Sequence, residues 1–206
     1  MAREIIEADG GVDSFNFEFT EWGHIIEGLD KAPSVKEHWF LANSTHVVDL
    51  AFYLGGSPAR FTSYTSGHLP WHPLASAFAG AGVSEEGALF TYQANWAAPG
   101  RWGVEVLTHH HRLILRPMEQ LQIQSIGSIE ILKYELDDAL DQQFKPGLYR
   151  QVMEFLSPKP SLALLPLAEH CKKVEEVYAK ILRPNSARLP LRYRHKKYRL
   201  CGNRQK

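Results

Sequence analysis

Phe15, Phe17 and Phe19 alternate with Ser14, Asn16, Glu18 and Thr20, so Val12 to Thr20 reads as a half-buried strand. Ahead of it, Ala2 to Ala8 reads as the last turns of a helix ended by Asp9-Gly10-Gly11. A helix already under way at Met1 leads us to expect that sequence once preceded it. The period changes between His38 and Pro58, read as HWFLANSTHVVDLAFYLGGSP. Here Asn43 or Ser44 can cap a helix over 43–54, Val47, Leu50 and Leu54 face the core, and Gly55 supplies a left-handed stop. His46, Asp49 and Tyr53 then share the other flank, because positions three and four apart lie on one helical face.

Further along, Arg60 to Ser66 is a short strand, and the Gly-, Pro- and Ala-rich run His68 to Gly82 reads as a long loop. Strands follow at Gly87–Trp96, Trp102–His109, His111–Arg116, Leu121–Ile126 and Ile129–Tyr134. Their short connections predict an antiparallel meander. Leu148 to Leu156 predicts a helix that buries Tyr149, Val152 and Phe155 or Leu156. A last helix opens at Pro166 and repeats Leu167, Cys171, Val174, Tyr178 and Ile181. The fold class is α+β, a mostly antiparallel open β-sheet with helices packed on one face. The other sheet face carries Leu89, Thr91, Gln93 and Asn95, joined by Val104 or Glu105 according to register. That much apolar and aromatic area predicts a homodimer through the open sheet face.

Composition sharpens this picture in two places. The 23 Lys and Arg balance 23 Asp and Glu, yet nine of the basic residues and no acidic one lie from Arg183 onward. An acidic domain over 1–183 thus precedes a basic tail over 184–206. The tail interleaves Tyr193 and Tyr198 with cations, a pattern compatible with nucleic acid, although a solvated terminus is the commoner outcome. No apolar run approaches a membrane span, and the charged N-terminus lacks a signal-peptide region, so a cytoplasmic location is expected. Cys171 and Cys201 suggest neither a disulfide framework nor a metal site.

Candidate chemistry centres on His46, a histidine one turn into a helix beside Asp49 and Tyr53, suited to proton transfer. The same spacing also fits a histidine bonded within its own domain. His68 and His72 flank Trp71 in the Gly/Pro loop and could line a pocket. Asn95, Trp96, Arg101 and Trp102 flank a tight turn, and an arginine with aromatic neighbours there suits a sugar-nucleotide phosphate or a packed interface, packing being the default. Glu18 and Glu21 bracket the end of the first strand, and Glu21-Trp22 could face the cleft, although most such carboxylates are simply solvated. His109, His110 and His111 point to alternating faces and so do not converge on a metal ion.

The runs WFLANSTHVVDLAFYLGGSP, ALFTYQANWAAPGRWGVEVLT, HRLILRPMEQLQIQ and FKPGLYRQVMEFL together resemble the C-terminal domain of the Gfo/Idh/MocA oxidoreductases. The resemblance runs from about Ala2 to Leu182. It implies an NAD(P)-dependent family acting mostly on sugars, sugar nucleotides and polyols. It also implies an N-terminal Rossmann domain with a glycine-rich fingerprint and a Glu-Lys-Pro motif, and these 206 residues contain neither. By this resemblance His46 holds the place of the family's proton donor or acceptor, while Ala42 stands where the matching aspartate would be. With the residues of the helix flank, the Gly/Pro loop and the aromatic turn, the candidate substrate-binding set is Asn43, Asp49, Tyr53, His68, His72 and Arg101. NAD(P) is implied for the full-length family, and no cofactor is expected on this chain alone. The leading expectation is a substrate-binding and oligomerisation domain. The alternatives are a subunit of a split oxidoreductase completed by a separate Rossmann polypeptide, and a nucleic-acid-binding module acting through the tail.

Overall fold

The alternating phenylalanines form the centre of the sheet in the computed structural model, which describes residues 1–159 and 164–183. The basic tail and Cys201 lie outside the described residues. Strand β1 (Ser14–Glu18) is the fourth of eight strands. Their order is β2 (Pro58–Ser66), β3 (Ala77–Ser84), β4 (Leu89–Asn95), β1, β5 (Gly103–Leu107), β6 (His111–Leu115), β7 (Leu121–Ser125) and β8 (Leu132–Tyr134). Only the β1–β4 pair is parallel. The sheet is open and mostly antiparallel, with helices on one face, as the pattern predicts.

The expected meander is interrupted, because β4 and β5 are not neighbours and β1 lies between them. Aromatic packing supplies the reason. Phe15, Phe17 and Phe19 are at most 2 % exposed, and burial that complete needs a partner strand on each side. Phe15 stacks on Phe90 at 5.2 Å and Phe17 on Tyr92 at 5.3 Å, while Phe52 meets both phenylalanines edge-on from above. The Ala97–Trp102 connection crosses the end of β1, where Gly100 packs on Glu18 and Thr20.

Strand β3 falls in the stretch read as a loop. Its Ala and Gly residues carry little strand propensity, but two of its glycines make room for large neighbours. Gly80 lies opposite Tyr92 and Gly82 opposite Phe90, each so close that a Cβ would run into the facing ring. Small residues here are the complement of the aromatics on β4.

Helix α4 (Thr45–Gly55) lies over β1 and β5 and buries Val47, Val48, Ala51, Phe52 and Leu54, with Leu50 only half-buried. Gly55 stays helical because the Phe15 ring leaves no space for a Cβ there, and the positive φ, 90°, falls on Gly56 instead. One π turn, Phe40–Ser44, leads into this helix, and neither Asn43 nor Ser44 caps it. Before it come α1 (Ala2–Ala8), α2 (Gly23–Glu27) and α3 (Pro33–Glu37). At the other end α7 (Leu167–Lys173 in the chain, numbered after α5 and α6 below) passes through a second π turn, Val174–Tyr178, into α8 (Ala179–Leu182) over β2 and β3. Tyr178 and Ile181 are buried as the spacing predicts, together with Val177, while Val174 is half-buried and Leu167 and Cys171 are exposed. The Tyr178 hydroxyl donates to Asp49 Oδ1 at 2.5 Å and Lys173 Nζ donates to it at 3.0 Å, which ties this helix to α4.

Helix α5 (Ala139–Gln143) precedes α6 (Leu148–Leu156), and here the sequence expectation fails. No residue of α6 is buried, and Phe155 and Leu156 are 76 % and 68 % exposed. An apolar stripe marks a face that favours burial; it does not supply the partner. On the open sheet face, Leu89, Thr91, Gln93 and Asn95 are exposed, and the register places Glu105 there rather than Val104. Glu105 and Arg112, and likewise Glu18 and Arg116, pair across that face.

The glycine requirement in β3 is testable. Gly82→Ala presses a methyl group against the Arg60 carbonyl and the Phe90 ring, and urea denaturation should register a loss of about 1–3 kcal/mol, the usual cost of overpacking. An unchanged midpoint would mean that the close approach has no energetic weight.

Candidate functional site

The inward alternation of β1 continues past its last paired residue, so the next core-facing position after Phe19 is Glu21. Its side chain is 2 % exposed. Ser44 Oγ donates to Oε1 at 2.7 Å, Asn43 Nδ2 donates to the same oxygen at 3.0 Å, and Arg101 Nη1 stands 3.7 Å from Oε2. The π turn is what lets two consecutive side chains reach one carboxylate. The Trp39 indole also favours the charged form, although its N–H closes no hydrogen bond at full contact distance. Burial nevertheless outweighs these groups and raises the Glu21 carboxyl above its ordinary value of 4.5.

Arg101 connects this buried acid to the surface. Its guanidinium sits 5.0 Å from the Trp22 ring and 4.7 Å from the Trp102 ring, with 48 % of the side chain exposed. Trp22 is itself fixed by donating from Nε1 to the Gly100 carbonyl at 2.9 Å. The His46 ring lies 6.5 Å from the Trp102 ring, exposed on the first turn of α4. Glu21, Asn43, Ser44, Arg101, Trp22, Trp102 and His46 thus form one continuous constellation. It joins the end of β1, the π turn and the β4–β5 connection. Such a set can bind a hydroxylated ligand by hydrogen bonds and aromatic contact, and it includes a carboxyl and an imidazole, the two side-chain types most used for proton transfer.

Other residues proposed from the sequence fall elsewhere. Asp49 shares the helix flank with His46, but its carboxylate is engaged by Lys173 and Tyr178. Tyr53 is 56 % exposed, with the Arg3 guanidinium 5.1 Å over its ring. His68 is exposed on the loop. His72 is fully buried between Trp71, Phe78 and Trp96, which removes it from a pocket wall. Its Nδ1 donates to the Ala75 carbonyl at 2.7 Å, and burial lowers its proton affinity and keeps it neutral. Tryptophan neighbours in a Gly/Pro loop signal packing as readily as binding, and here packing prevails. Glu21 is the converse case, a carboxylate read as solvated that proves buried. The parity of Phe15, Phe17 and Phe19 was the signal that would have found it.

The histidine run lies far from this site. His111 Nδ1 donates to Asp9 Oδ2 at 2.7 Å and Thr108 Oγ1 donates to the same oxygen at 2.6 Å, holding Asp9 below the usual carboxylate range, Thr108 first. An open cleft of about 310 Å³ runs beside His109 and His110. Among the described residues no three His, Cys, Asp or Glu side chains are grouped to hold a metal ion, and no helix is long and apolar enough to cross a membrane.

This architecture is that of a set of NAD- and NADPH-dependent oxidoreductases among the solved structures. Levoglucosan dehydrogenase, in complex with NADH and levoglucosan, aligns with a TM-score of 0.52 and 19 % identity over 67 % of this chain and 44 % of its own. A putative NADPH-dependent oxidoreductase from Desulfitobacterium hafniense aligns at 0.50 with 16 % identity, over 66 % of this chain and 45 % of its own. An NAD binding oxidoreductase from Klebsiella pneumoniae gives 0.50 and 16 %, over 65 % and 42 %. At these identities the likeness is one of fold, and the chain matches less than half the length of each structure. No protein-family model matches the sequence, and no curated protein does.

Glu21 should leave a signature in the pH dependence of stability. The folded state holds the Glu21 proton more tightly than the unfolded chain. Its contribution is therefore fully present below pH 4.5, the ordinary value, and is lost as pH rises through the raised folded value. Urea midpoints taken upward from that pH should decline in the natural chain relative to Glu21→Gln, which lacks this slope. Parallel profiles would show that burial does not perturb Glu21.

Proposed function

We propose that this chain is the substrate-binding and oligomerisation domain of an NAD(P)-dependent oxidoreductase acting on a sugar, sugar nucleotide or polyol, its dinucleotide-binding half lying outside these residues. The observation that carries this reading is the constellation around Glu21. A buried acid, two neutral donors, an arginine with two tryptophans and an exposed histidine gather where the family resemblance puts the substrate. Tryptophan faces suit the C–H surfaces of a pyranose, and the polar groups suit its hydroxyls. His46 is the proposed proton donor or acceptor for the reacting hydroxyl. Ala42, standing where the family has an aspartate, leaves His46 without that orienting carboxylate. The similarity in fold to levoglucosan dehydrogenase supports a sugar-like ligand.

A second reading, a subunit completed by a separate Rossmann polypeptide, is favoured by one observation. The apolar stripe of α6 has no cover among the described residues, and large uncovered apolar faces mark interaction sites. In either reading, hydride transfer needs a nicotinamide held by the second unit, and these residues supply the substrate side. We further propose that two copies pair through the open sheet face. Its eight strands present small and polar groups with Leu89 and Tyr64 exposed at 66 % and 60 %, a flat surface suited to a two-fold interface. Its charge pairs make that interface more polar than the sequence pattern predicts.

Two measurements test these statements. Isothermal titration of the chain with NADH or NADPH should show no saturable binding tighter than about 100 µM, near −5.5 kcal/mol. The reason is that the glycine-rich loop at a helix N-terminus, which cradles the pyrophosphate, does not occur in this sequence. Saturable binding below that value would overturn the division of labour. Sedimentation equilibrium at micromolar concentration should give twice 23.4 kDa, and a monomer there would remove the sheet interface from the proposal.

A further inference from the structure

We infer that the ligand of this site carries a carboxylate or a phosphate, and that Arg101 is the residue that receives it. The inference rests on the sugar-site reading above and narrows it to an anionic hydroxylated compound. Arg101 makes no hydrogen bond among the described residues, and its closest carboxylate oxygen, Glu21 Oε2, is 3.7 Å away. That separation is beyond hydrogen-bond reach. Arg116 is spent by contrast on Glu18 at 3.0 Å, and Arg112 is paired with Glu105. Arg101 is instead held by the rings of Trp22 and Trp102 while half its side chain meets solvent. Aromatic contacts fix the position of a guanidinium without using its N–H groups. A planar fork held this way matches the two oxygens of a carboxylate or phosphate, whereas a neutral hydroxyl accepts only one of its bonds.

The neighbouring acid does not use the fork. Glu21 is buried and its Oε1 is taken by Ser44 and Asn43. Arg101 therefore keeps its N–H groups for a ligand at the surface beside the two tryptophans. A ligand whose anionic group docks on Arg101 would have Trp102 beside it and His46 within reach, the His46 ring lying 6.5 Å from that of Trp102.

Calorimetric titration of the full chain with D-glucose, D-glucuronate and D-glucose 6-phosphate tests this. One of the charged sugars should bind at least roughly tenfold more tightly than glucose, a difference of about 1.4 kcal/mol. Preference for glucuronate identifies a carboxylate ligand, and preference for glucose 6-phosphate a phosphate. Within Arg101→Gln the charged sugars and glucose should bind alike, the preference being lost whatever happens to glucose itself, and Arg101→Lys should retain part of the preference. Near-UV circular dichroism checks that Trp22 and Trp102 keep their packing in both variants. Equal affinity for all three sugars in the natural chain overturns the inference and leaves the sugar-site reading standing. Preference that survives in a natively packed Arg101→Gln does the same. If none of the three binds, the inference and the sugar-site reading fall together.

Discussion

A carboxylate buried at the end of the central strand needs donors, and that need organises the structure around it. An isolated charge in an apolar interior is costly enough that it is either paired or protonated. Glu21 takes both routes in part, accepting from Asn43 and Ser44 while burial keeps its proton affinity high. To deliver two adjacent side chains to one oxygen, the backbone over Phe40–Ser44 winds as a π turn, a device common at functional sites. The turn in turn fixes where α4 begins, and therefore where His46 emerges.

The aromatic ladder holds this arrangement from beneath. Phe19 meets Phe40 at 5.4 Å and Phe40 meets Tyr178 at 6.1 Å, so the strand, the π turn and the terminal helix share one contact network. Tyr178 then reaches Asp49, the residue one turn beyond His46 on the same helix. Glu21 anchors the N-terminal end of α4 and the terminal helix grips its middle. A helix held at both points can present an exposed histidine at a defined position, which proton transfer requires.

Much of this was legible in the sequence because it rests on period alone. The two-residue alternation of β1 and the helical spacing of 45–55 fix the fold class, and the short connections fix most of the antiparallel pairs. Three features escaped because their cause is non-local. The insertion of β1 between β4 and β5 follows from ring-on-ring packing with Phe90 and Tyr92, which no short window reveals. The Ala/Gly run of β3 has low strand propensity and is explained only by the aromatics opposite it. Leu50, Leu167 and Cys171 lack the burial that helical spacing assigns them, because spacing marks a face without supplying what covers it. At the site, Arg101, Asn43 and His46 were visible as residue types in suggestive places. His72 was misleading because a histidine among tryptophans serves equally well as core. Glu21 needed only the alternation carried one step past the strand.

The account depends most on Glu21 being a buried acid of raised proton affinity, and the carboxyl carbon of that residue reports on it directly. Carbon-13 NMR of selectively labelled glutamate, with Glu21→Gln to assign the resonance, gives its titration curve in the folded chain. The account requires a midpoint clearly above the ordinary 4.5. A midpoint at or below that value would mean that the hydrogen bonds and Arg101 outweigh burial. Glu21 would then be an ordinary paired carboxylate, and the desolvated acid around which the site is built would not exist.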